Sequence, residues 1–278
     1  WALLNGGELE AAETRLGDAE RWLEGGLESA AEQSAMIIVD EEQFRTLPAS
    51  LATARAYLAQ TAGDLPGSVK YGRRALDLLP ATDHLRRGPA AALLGLAQWA
   101  SGDLEAAYRA LADAMAGFQK AGNLHFALSV TSGLADIRTV QGRLHEAVKC
   151  YTQALQLALA QREPLIRGTA NLYLGLSELY HEQGHRPIAL LHLLRTEELG
   201  EQAALPDWRY RLCRVQARFK ESQGDWAGAL DLLDTAKDHY YRTPVPDVRP
   251  LAALQARLWV AQGRLRDALR WVQEAGLA

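Results

Sequence analysis

The sequence predicts an all-α fold, a right-handed solenoid of antiparallel helix hairpins with about 40 residues per repeat. The first observation is a glycine-centred turn that recurs along the 278 residues. From the second copy onward the glycines lie 39 to 42 residues apart, and a fixed period of that size is typical of repeat proteins. The seven glycines are Gly7, Gly63, Gly102, Gly142, Gly184, Gly224 and Gly263.

The second observation is a stripe of apolar and small residues at fixed distances after each glycine. Position five carries a small residue in every copy, and position twelve carries alanine in all copies but one, where it is Thr196. Positions two and nine are mostly large and apolar, with Arg186 and Gly72 as exceptions. These four offsets lie on one helical face, and the small residues predict that another helix crosses closely there.

The third observation concerns the turns themselves. A glycine after a helix adopts the left-handed backbone that other residues avoid, and Asp64, Asp103 and Asp225 follow as caps of the next helix. Each repeat is therefore two antiparallel helices joined by a tight turn. Neither helix can bury its stripe without neighbouring repeats, so the hairpins stack into one continuous domain over 1–278.

The elements follow in order from these turns. Residues 1–5 resemble the last turn of a helix that began earlier, so we expect a fragment of a longer protein. The 56 residues between Gly7 and Gly63 leave about 16 beyond one period, which predicts an irregular insertion at 25–47 whose apolar run Met36–Val39 lies against the solenoid. The predicted helices are 8–24, 48–62 with 64–79, 85–101 with 104–121, 123–141 with 144–161, 164–183 with 186–204, 207–223 with 226–241, and 249–262 with 265–275.

The composition excludes several classes of protein. The net charge is −4 at pH 7, so no overall basic field exists to hold nucleic acid or an anionic membrane. The two cysteines, Cys150 and Cys213, are too few for a disulfide framework and are predicted to pack in the core of a cytoplasmic protein. No run approaches the roughly 20 apolar residues needed to span a bilayer.

The repeat resembles a lengthened tetratricopeptide unit. Together with the segments Arg73–Pro80, Gly95–Ala107, Gly175–Leu179 and Asp247–Pro250, it resembles the superhelical sensor domain of large ATP-binding LuxR-type transcriptional regulators, the MalT-like bacterial activators. The resemblance implies an ATP-binding module before this segment and a helix-turn-helix after it. Neither motif occurs here, so we expect no cofactor and no nucleic-acid binding in this segment. It further implies that a small-molecule effector or a regulatory protein binds the superhelix and changes self-association in the full-length protein.

The candidate binding site comes from the helices that line the concave face of tetratricopeptide-like solenoids. Three arginines, Arg211, Arg214 and Arg218, occupy one face of one helix, where like charges repel. Either acidic groove residues compensate them, namely Asp136, Glu178 and Glu221, or the arginines bind a carboxylate, phosphate or array of sugar hydroxyls of an effector. The other groove candidates are Asn171 and His181, with Tyr57 and Trp99 as an apolar or sugar-stacking wall.

A metal-binding motif also occurs in the sequence. Residues 181–185 match H-E-x-x-H, but the zinc chemistry of that motif needs both histidines on one unbroken helix. Gly184 is the repeat glycine at which the helix should stop. We therefore expect His181 in the groove, His185 in the turn, and no metal or catalytic residues.

Two functions remain open at this point. The first is an effector-sensing and signal-relay domain of a bacterial LuxR-family regulator, which is not an enzyme by itself. The second is a scaffold that binds a peptide or protein without a small-molecule effector, with the Met36–Val39 run folding back into the groove. A hydrolase is a distant third, because no nucleophile, base and orienting acid converge.

Overall fold

The fold is all-α and built from helix hairpins, as predicted. The computed structural model describes residues 1–25, 39–161, 165–240 and 245–277, and within these ranges there is no β-strand. The helices are α1 Ala2–Asn5, α2 Leu9–Gly25, α3 Glu41–Ala62, α4 Leu65–Leu78, α5 His84–Ala100, α6 Leu104–Lys120, α7 Leu124–Val140, α8 Leu144–Ala160, α9 Thr169–Glu182, α10 Arg186–Leu199, α11 Trp208–Ser222, α12 Trp226–Asp238, α13 Leu251–Ala261 and α14 Leu265–Glu274. A short 3₁₀ turn occupies Glu201–Ala203.

The seven repeat glycines form the turns that the period predicts. All of them have φ between +73° and +87°, a region that costs a residue with a Cβ atom energy. The aspartates act as N-caps: the side chain of Asp103 accepts a hydrogen bond from Ala106 N at 3.1 Å, and that of Asp225 accepts one from Gly228 N at 2.9 Å. Each glycine and cap therefore ends one helix and begins the next.

The small residues of the stripe lie where the helices cross. Position five is completely buried in the middle repeats, at Ser68, Ala107, Ala147, Ala189 and Ala229. Position twelve is equally buried, and Thr196, its one exception, is also fully buried and donates a hydrogen bond to the carbonyl of His192. The close approach that these residues permit is the reason why larger side chains are excluded there.

The chain divides into two compact units, residues 1–130 and 131–278. In the first unit the buried side chains of Ala91, Ala114, Phe118 and Ala127 form a core cluster. In the second unit, Leu174, Leu193 and Val215 form one cluster, and Ala217, Ala229, Leu233 and Leu258 form another. Burial of each of the larger aliphatic side chains stabilises its unit by about 1.5–3 kcal/mol.

The prediction of an irregular segment at 25–47 is wrong at its C-terminal end. Helix α3 begins at Glu41, because the Asp40 side chain accepts a hydrogen bond from Gln43 N at 2.9 Å and two glutamates fill the first turn. Pro48 therefore lies inside the helix instead of starting it. Of the Met36–Val39 run, residues 36–38 lie outside the described residues, and Val39 is 94% exposed.

The fifth hairpin also has different limits from those predicted. Helix α9 begins at Thr169, after Gly168 with φ +103°, and helix α10 ends at Leu199, before Gly200. The residues between α10 and α11 form a loop in which the carbonyl of Ala203 accepts a hydrogen bond from Gly168 N at 2.9 Å. This hydrogen bond joins the residue that precedes α9 to the loop that follows α10.

None of the described helices is both long and apolar enough to cross a membrane.

A buried charge cluster as the candidate functional site

Charged side chains from alternate helices of the second unit meet in one place. They come from α7, from α9, from α11 and from the turn that precedes α13. We call them the charge cluster, and its members are Asp136, Glu178, Glu182, Arg211, Arg214, Arg218, Asp247 and Arg249.

Helix α11 presents its arginines from one face, and buried apolar residues flank that face. Val215 and Ala217 on α11 are 2% exposed, and each belongs to one of the apolar clusters of the second unit. The spacing of three and four residues places all three arginines on one face of α11, between these two apolar residues. Glu178 and Glu182 are four residues apart on α9 and present their carboxylates to that face.

The arginines are paired within the protein. Arg218 forms an ion pair with Glu182 at 2.5 Å. Arg249 donates a hydrogen bond to Glu178 and lies 3.9 Å from Glu182. The like charges on α11 are therefore compensated by carboxylates of the preceding repeat, and these pairs are mostly withdrawn from solvent.

The two other arginines of α11 are held less directly. Arg211 lies 4.0 Å from Glu178, and Arg214 lies 3.7 Å from Asp247. The Arg214 guanidinium also lies over the Tyr210 ring, 5.2 Å from its centroid, and its Nε is buried without a hydrogen-bond partner. Arg214 therefore keeps an unused donor in a buried position.

Hydroxyl groups complete the coordination of Arg211. Its guanidinium donates hydrogen bonds to Ser132 Oγ at 3.0 Å and to Tyr151 Oη at 3.2 Å. The Tyr151 ring lies directly on Gly175, since a Cβ atom built there would be 2.2 Å from the ring carbon Cζ. Glycine at position 175 is thus what allows the phenol to reach the cluster.

The carboxyl groups of the cluster have very different acidities. Burial disfavours the charge of Glu178, but the guanidiniums of Arg249, Arg214 and Arg211 outweigh it and lower the pKa of Glu178 to about 2. For Asp136, burial dominates, and the pKa of this carboxyl is raised to about 6 although Arg211 opposes the shift. Glu178 is therefore fully ionised at neutral pH, whereas burial disfavours the charged form of Asp136.

Asp136 differs from the other acids in its contacts as well. Within the described part of the chain, no group donates a hydrogen bond to its carboxylate, and no cation lies within 4.0 Å of it. Its interaction with Arg211 is electrostatic and longer in range. Asp136 is thus an acceptor with unused capacity, as Arg214 is a donor with unused capacity.

The structure brings together five of the nine predicted site residues: Asp136, Glu178, Arg211, Arg214 and Arg218. Glu221, which was predicted to help compensate the arginines, instead pairs with Arg257 of α13 at 2.6 Å. It faces the next repeat, because its position near the C-terminal end of α11 is beyond the reach of Arg211.

Asn171 and His181 have other roles. Asn171 is 1% exposed, accepts a hydrogen bond from Leu205 N at 2.8 Å and donates one to Asp207 at 3.0 Å, so it holds the loop before α11. His181 packs against the Phe219 ring with centroids 4.8 Å apart. Burial, together with the charge of Arg218, lowers the pKa of His181.

The two aromatic candidates belong to the first unit. Trp99 is 5% exposed and is therefore part of the core instead of an open stacking wall. Tyr57 packs beside the cluster of Leu4, Ala12, Ala54 and Leu58 and makes an edge contact with the Trp1 ring at 6.4 Å. Both residues complete hydrophobic packing.

Four contributors to the site were not predicted as such: Tyr151, Glu182, Asp247 and Arg249. Tyr151 stands at position nine of its repeat and was assigned to the core by the stripe. Glu182 follows Glu178 by one helical turn, which was an available signal. Asp247 and Arg249 lie in the connection between α12 and α13, where no repeat register applies.

The H-E-x-x-H pattern does not form a metal-binding helix. Helix α9 ends at Glu182, Gly184 has φ +79°, and His185 is the N-cap of α10. His181 and His185 thus lie on two different helices, as the repeat register predicts.

Helix hairpins with left-handed glycine turns and small residues at the crossings define a tetratricopeptide-like helical-repeat protein. The family model for the MalT-like TPR region matches residues 49–277. The chain belongs to this family. No curated protein sequence matches the chain.

Known structures agree with this fold at low sequence identity. BtubC (BKLC) from P. vanneervenii is 18% identical with a TM-score of 0.57, and the match covers 86% of this chain and 97% of that one. The apo form of RapI is 12% identical with a TM-score of 0.64, covering 87% and 86%. A Rap protein complexed with Competence and Sporulation Factor is 14% identical with a TM-score of 0.61, covering 85% and 64%. These similarities concern the fold alone.

Proposed function

We propose that this chain is the effector-sensing and signal-relay domain of a bacterial LuxR-family transcriptional regulator, and that an effector binds at the charge cluster. Membership of the MalT-like TPR family is the observation that carries the proposal. The charge cluster supports it, because a buried carboxylate with a raised pKa costs stability and is expected where a ligand needs it.

The chemistry of the cluster favours a neutral, hydroxyl-rich effector. Four arginines face four carboxyl groups, so there is no large excess of positive charge to hold a phosphate or a dicarboxylate. The unused groups are the carboxylate of Asp136 and the Nε donor of Arg214. A hydroxyl group can donate to the first and accept from the second, as in a sugar or another polyol.

Binding would relay a signal through the pairs that it disturbs. An effector that engages Arg214 competes with Asp247 in the turn before α13, and one that engages Asp136 changes the field at Arg211 on α11. Only a difference in affinity between two arrangements of the repeats can shift their populations. The proposal therefore requires that effector binding and repeat arrangement are coupled.

The ligand class can be tested by calorimetry and thermal shift with neutral di- and trisaccharides, sugar phosphates and dicarboxylates as probes. We expect neutral saccharides to stabilise the protein, by about 2.7 kcal/mol at a hundredfold excess over Kd. The variants Asp136→Asn and Arg214→Ala should each weaken binding by about 10- to 100-fold, because a hydrogen bond to a charged group contributes about 1.5–3 kcal/mol.

Arg264→Ala is the matched control. Arg264 follows α13, is 48% exposed and is paired with Asp267, so its loss should leave saccharide affinity unchanged. Equal affinities in the wild type, Asp136→Asn and Arg214→Ala would contradict a site at the charge cluster.

The regulator role is tested separately by the coding sequence on either side of this segment. An ATP-binding phosphate-loop module before it and a helix-turn-helix after it would support the LuxR-type assignment. Unrelated modules would contradict it without affecting the ligand measurements.

A peptide- or protein-binding scaffold is the second candidate function. The observation that favours it is the similar fold of the Rap protein complexed with Competence and Sporulation Factor. This candidate predicts that short peptides bind and that saccharides do not. Peptide binding that survives in both Asp136→Asn and Arg214→Ala would place it ahead of the sensor.

A further inference from the structure

Helix α10 presents an unusual apolar face to solvent. Four of its large aliphatic side chains outside the stripe are 44–66% exposed, with Leu191 at 66% and Leu194 at 54%. The buried face of the same helix is formed by Ala189, Leu193 and Thr196. The exposed leucines therefore do not contribute to the buried face of the repeat. The four exposed residues are Ile188, Leu190, Leu191 and Leu194.

The other repeats show what normally stands at these positions. Leu191 is the seventh residue after its turn glycine, and from the second repeat onward every other repeat has an exposed charged residue there: Lys70, Arg109, Lys149, Asp231 and Arg270. Leu194 is the tenth residue, where the same repeats have Arg73, Ala112, Thr152, Asp234 and Gln273. In one repeat of the chain, leucine thus occupies two repeat positions that face solvent, which indicates a contact surface.

The charges at the ends of α10 indicate what kind of surface it contacts. Arg186 is the first residue of the helix, and Glu197 and Glu198 lie in its last turn. This order is the reverse of what the helix dipole favours. All three residues are exposed. Glu197 accepts a hydrogen bond from Gln216 of α11 at 2.7 Å, and Glu198 forms an exposed ion pair with Arg195 of its own helix at 2.5 Å.

An antiparallel copy of the same helix compensates this arrangement. Two α10 helices related by a twofold axis place Arg186 of each copy beside Glu197 and Glu198 of the other. The charged ends are about 18 Å apart along the axis, at 1.5 Å per residue, and the leucines lie between them. The surface is therefore complementary to itself in charge, as an interface of two identical patches must be.

We propose that α10 is a homodimerisation surface, paired antiparallel with α10 of a second copy of this chain. One helix face buries less than the roughly 800 Å² per partner of a standard interface, so the dimer of this segment is weak, with a Kd on the order of 10–100 μM. The inference rests on α10 alone and goes beyond the proposed function: it stands whether or not an effector binds at the charge cluster.

Sedimentation velocity from about 5 to 500 μM tests the proposal, with the wild type expected to shift from monomer to dimer. The variant Leu191→Lys with Leu194→Thr places the residues of the preceding repeat on α10 and should weaken association at least tenfold. Leu159→Lys, at a leucine of α8 that is 51% exposed, is the control and should dimerise like the wild type. Circular dichroism checks that all variants keep their helices.

Charge reversal identifies the partner and its orientation. Arg186→Glu alone, or Glu197→Arg with Glu198→Arg, should each dimerise at least tenfold more weakly than the wild type. An equimolar mixture of these two variants should form a heterodimer, since reversed ends then meet opposite charges. A wild type that stays monomeric throughout the range would overturn the proposal, and so would a dimer that persists after the leucines are replaced or a mixture that does not associate.

Discussion

The substitution Glu178→Gln removes the charge on which the arginines of the cluster depend. Glu178 lies on α9, its side chain is 12% exposed, and it pairs with Arg249 while Arg211 lies 4.0 Å away. The amide keeps the size of the side chain and some of its hydrogen bonding. It leaves two mostly buried guanidiniums without their counter-charge.

The expected loss of stability follows from the acidity of Glu178. Its pKa is lowered from the ordinary value of 4.5 to about 2, and each pKa unit corresponds to about 1.4 kcal/mol, so ionised Glu178 contributes about 3 kcal/mol. Removal of one partner of a buried ion pair typically costs about 3–5 kcal/mol. The two values agree, and we expect the free energy of unfolding to fall by about 3 kcal/mol at pH 7.

The pH dependence has a definite sign. Because the folded-state pKa is lower than the unfolded value, the stabilisation is fully present above pH 4.5 and is lost as the pH falls towards 2. Urea unfolding followed by circular dichroism at pH 7 and pH 3 should therefore show a large difference between wild type and Glu178→Gln at pH 7 and a smaller one at pH 3.

Glu42→Gln serves as the control for this measurement. The Glu42 side chain is 67% exposed and lies 3.4 Å from Arg86, so its loss should cost less than about 1 kcal/mol. Equal effects of the two substitutions, or a Glu178→Gln penalty that does not shrink at low pH, would refute the reasoning.

Three further predictions concern the surroundings of Glu178. Asp136→Asn should stabilise the protein by up to about 3 kcal/mol above pH 6, because a pKa raised to about 6 means that the ionised carboxylate destabilises the folded state. The gain should vanish as the pH falls from 6 towards 3.8. A loss of stability at pH 7 would contradict this prediction. Gly175→Ala should cost about 1–3 kcal/mol in urea unfolding because its methyl group meets the Tyr151 ring, whereas Gly17→Ala, where a Cβ meets no atom closer than 3.9 Å, should be neutral or stabilising. Asn171→Ala should cost about 1–3 kcal/mol and speed hydrogen exchange at the Leu205 amide; unchanged exchange there would show that Asn171 does not hold the loop.

The turns and crossings of this fold were predictable because their causes are local. Gly102 is needed for a left-handed backbone, Asp103 for an exposed helix N-terminus, and Ala107 for a close helix crossing. The first two requirements depend on residues within one turn of the chain, and all three recur with the period. The start of α3 was missed because Pro48 was taken as a first-turn residue, although Asp40 is the stronger signal.

The charge cluster was only partly predictable because its pairs join distant residues. The helical spacing identified Arg211, Arg214 and Arg218. Arg249 pairs with Glu178 across 71 positions and lies in the connection between α12 and α13, outside the repeat register. Trp99 was misplaced for a related reason: a groove position in the register does not reveal how deeply a large ring is packed.

The most direct test of this account is a carboxyl-carbon NMR titration of Asp136 and Glu178 in the folded protein, assigned with the Asp136→Asn and Glu178→Gln variants. The account predicts that Asp136 titrates with a pKa of about 6 and that Glu178 remains ionised down to about pH 2. The unfolded chain would show both groups near their ordinary values of 3.8 and 4.5. Two folded-state pKa values close to 4 would contradict the account, because they would show that both carboxylates are solvated and that no buried charge cluster exists.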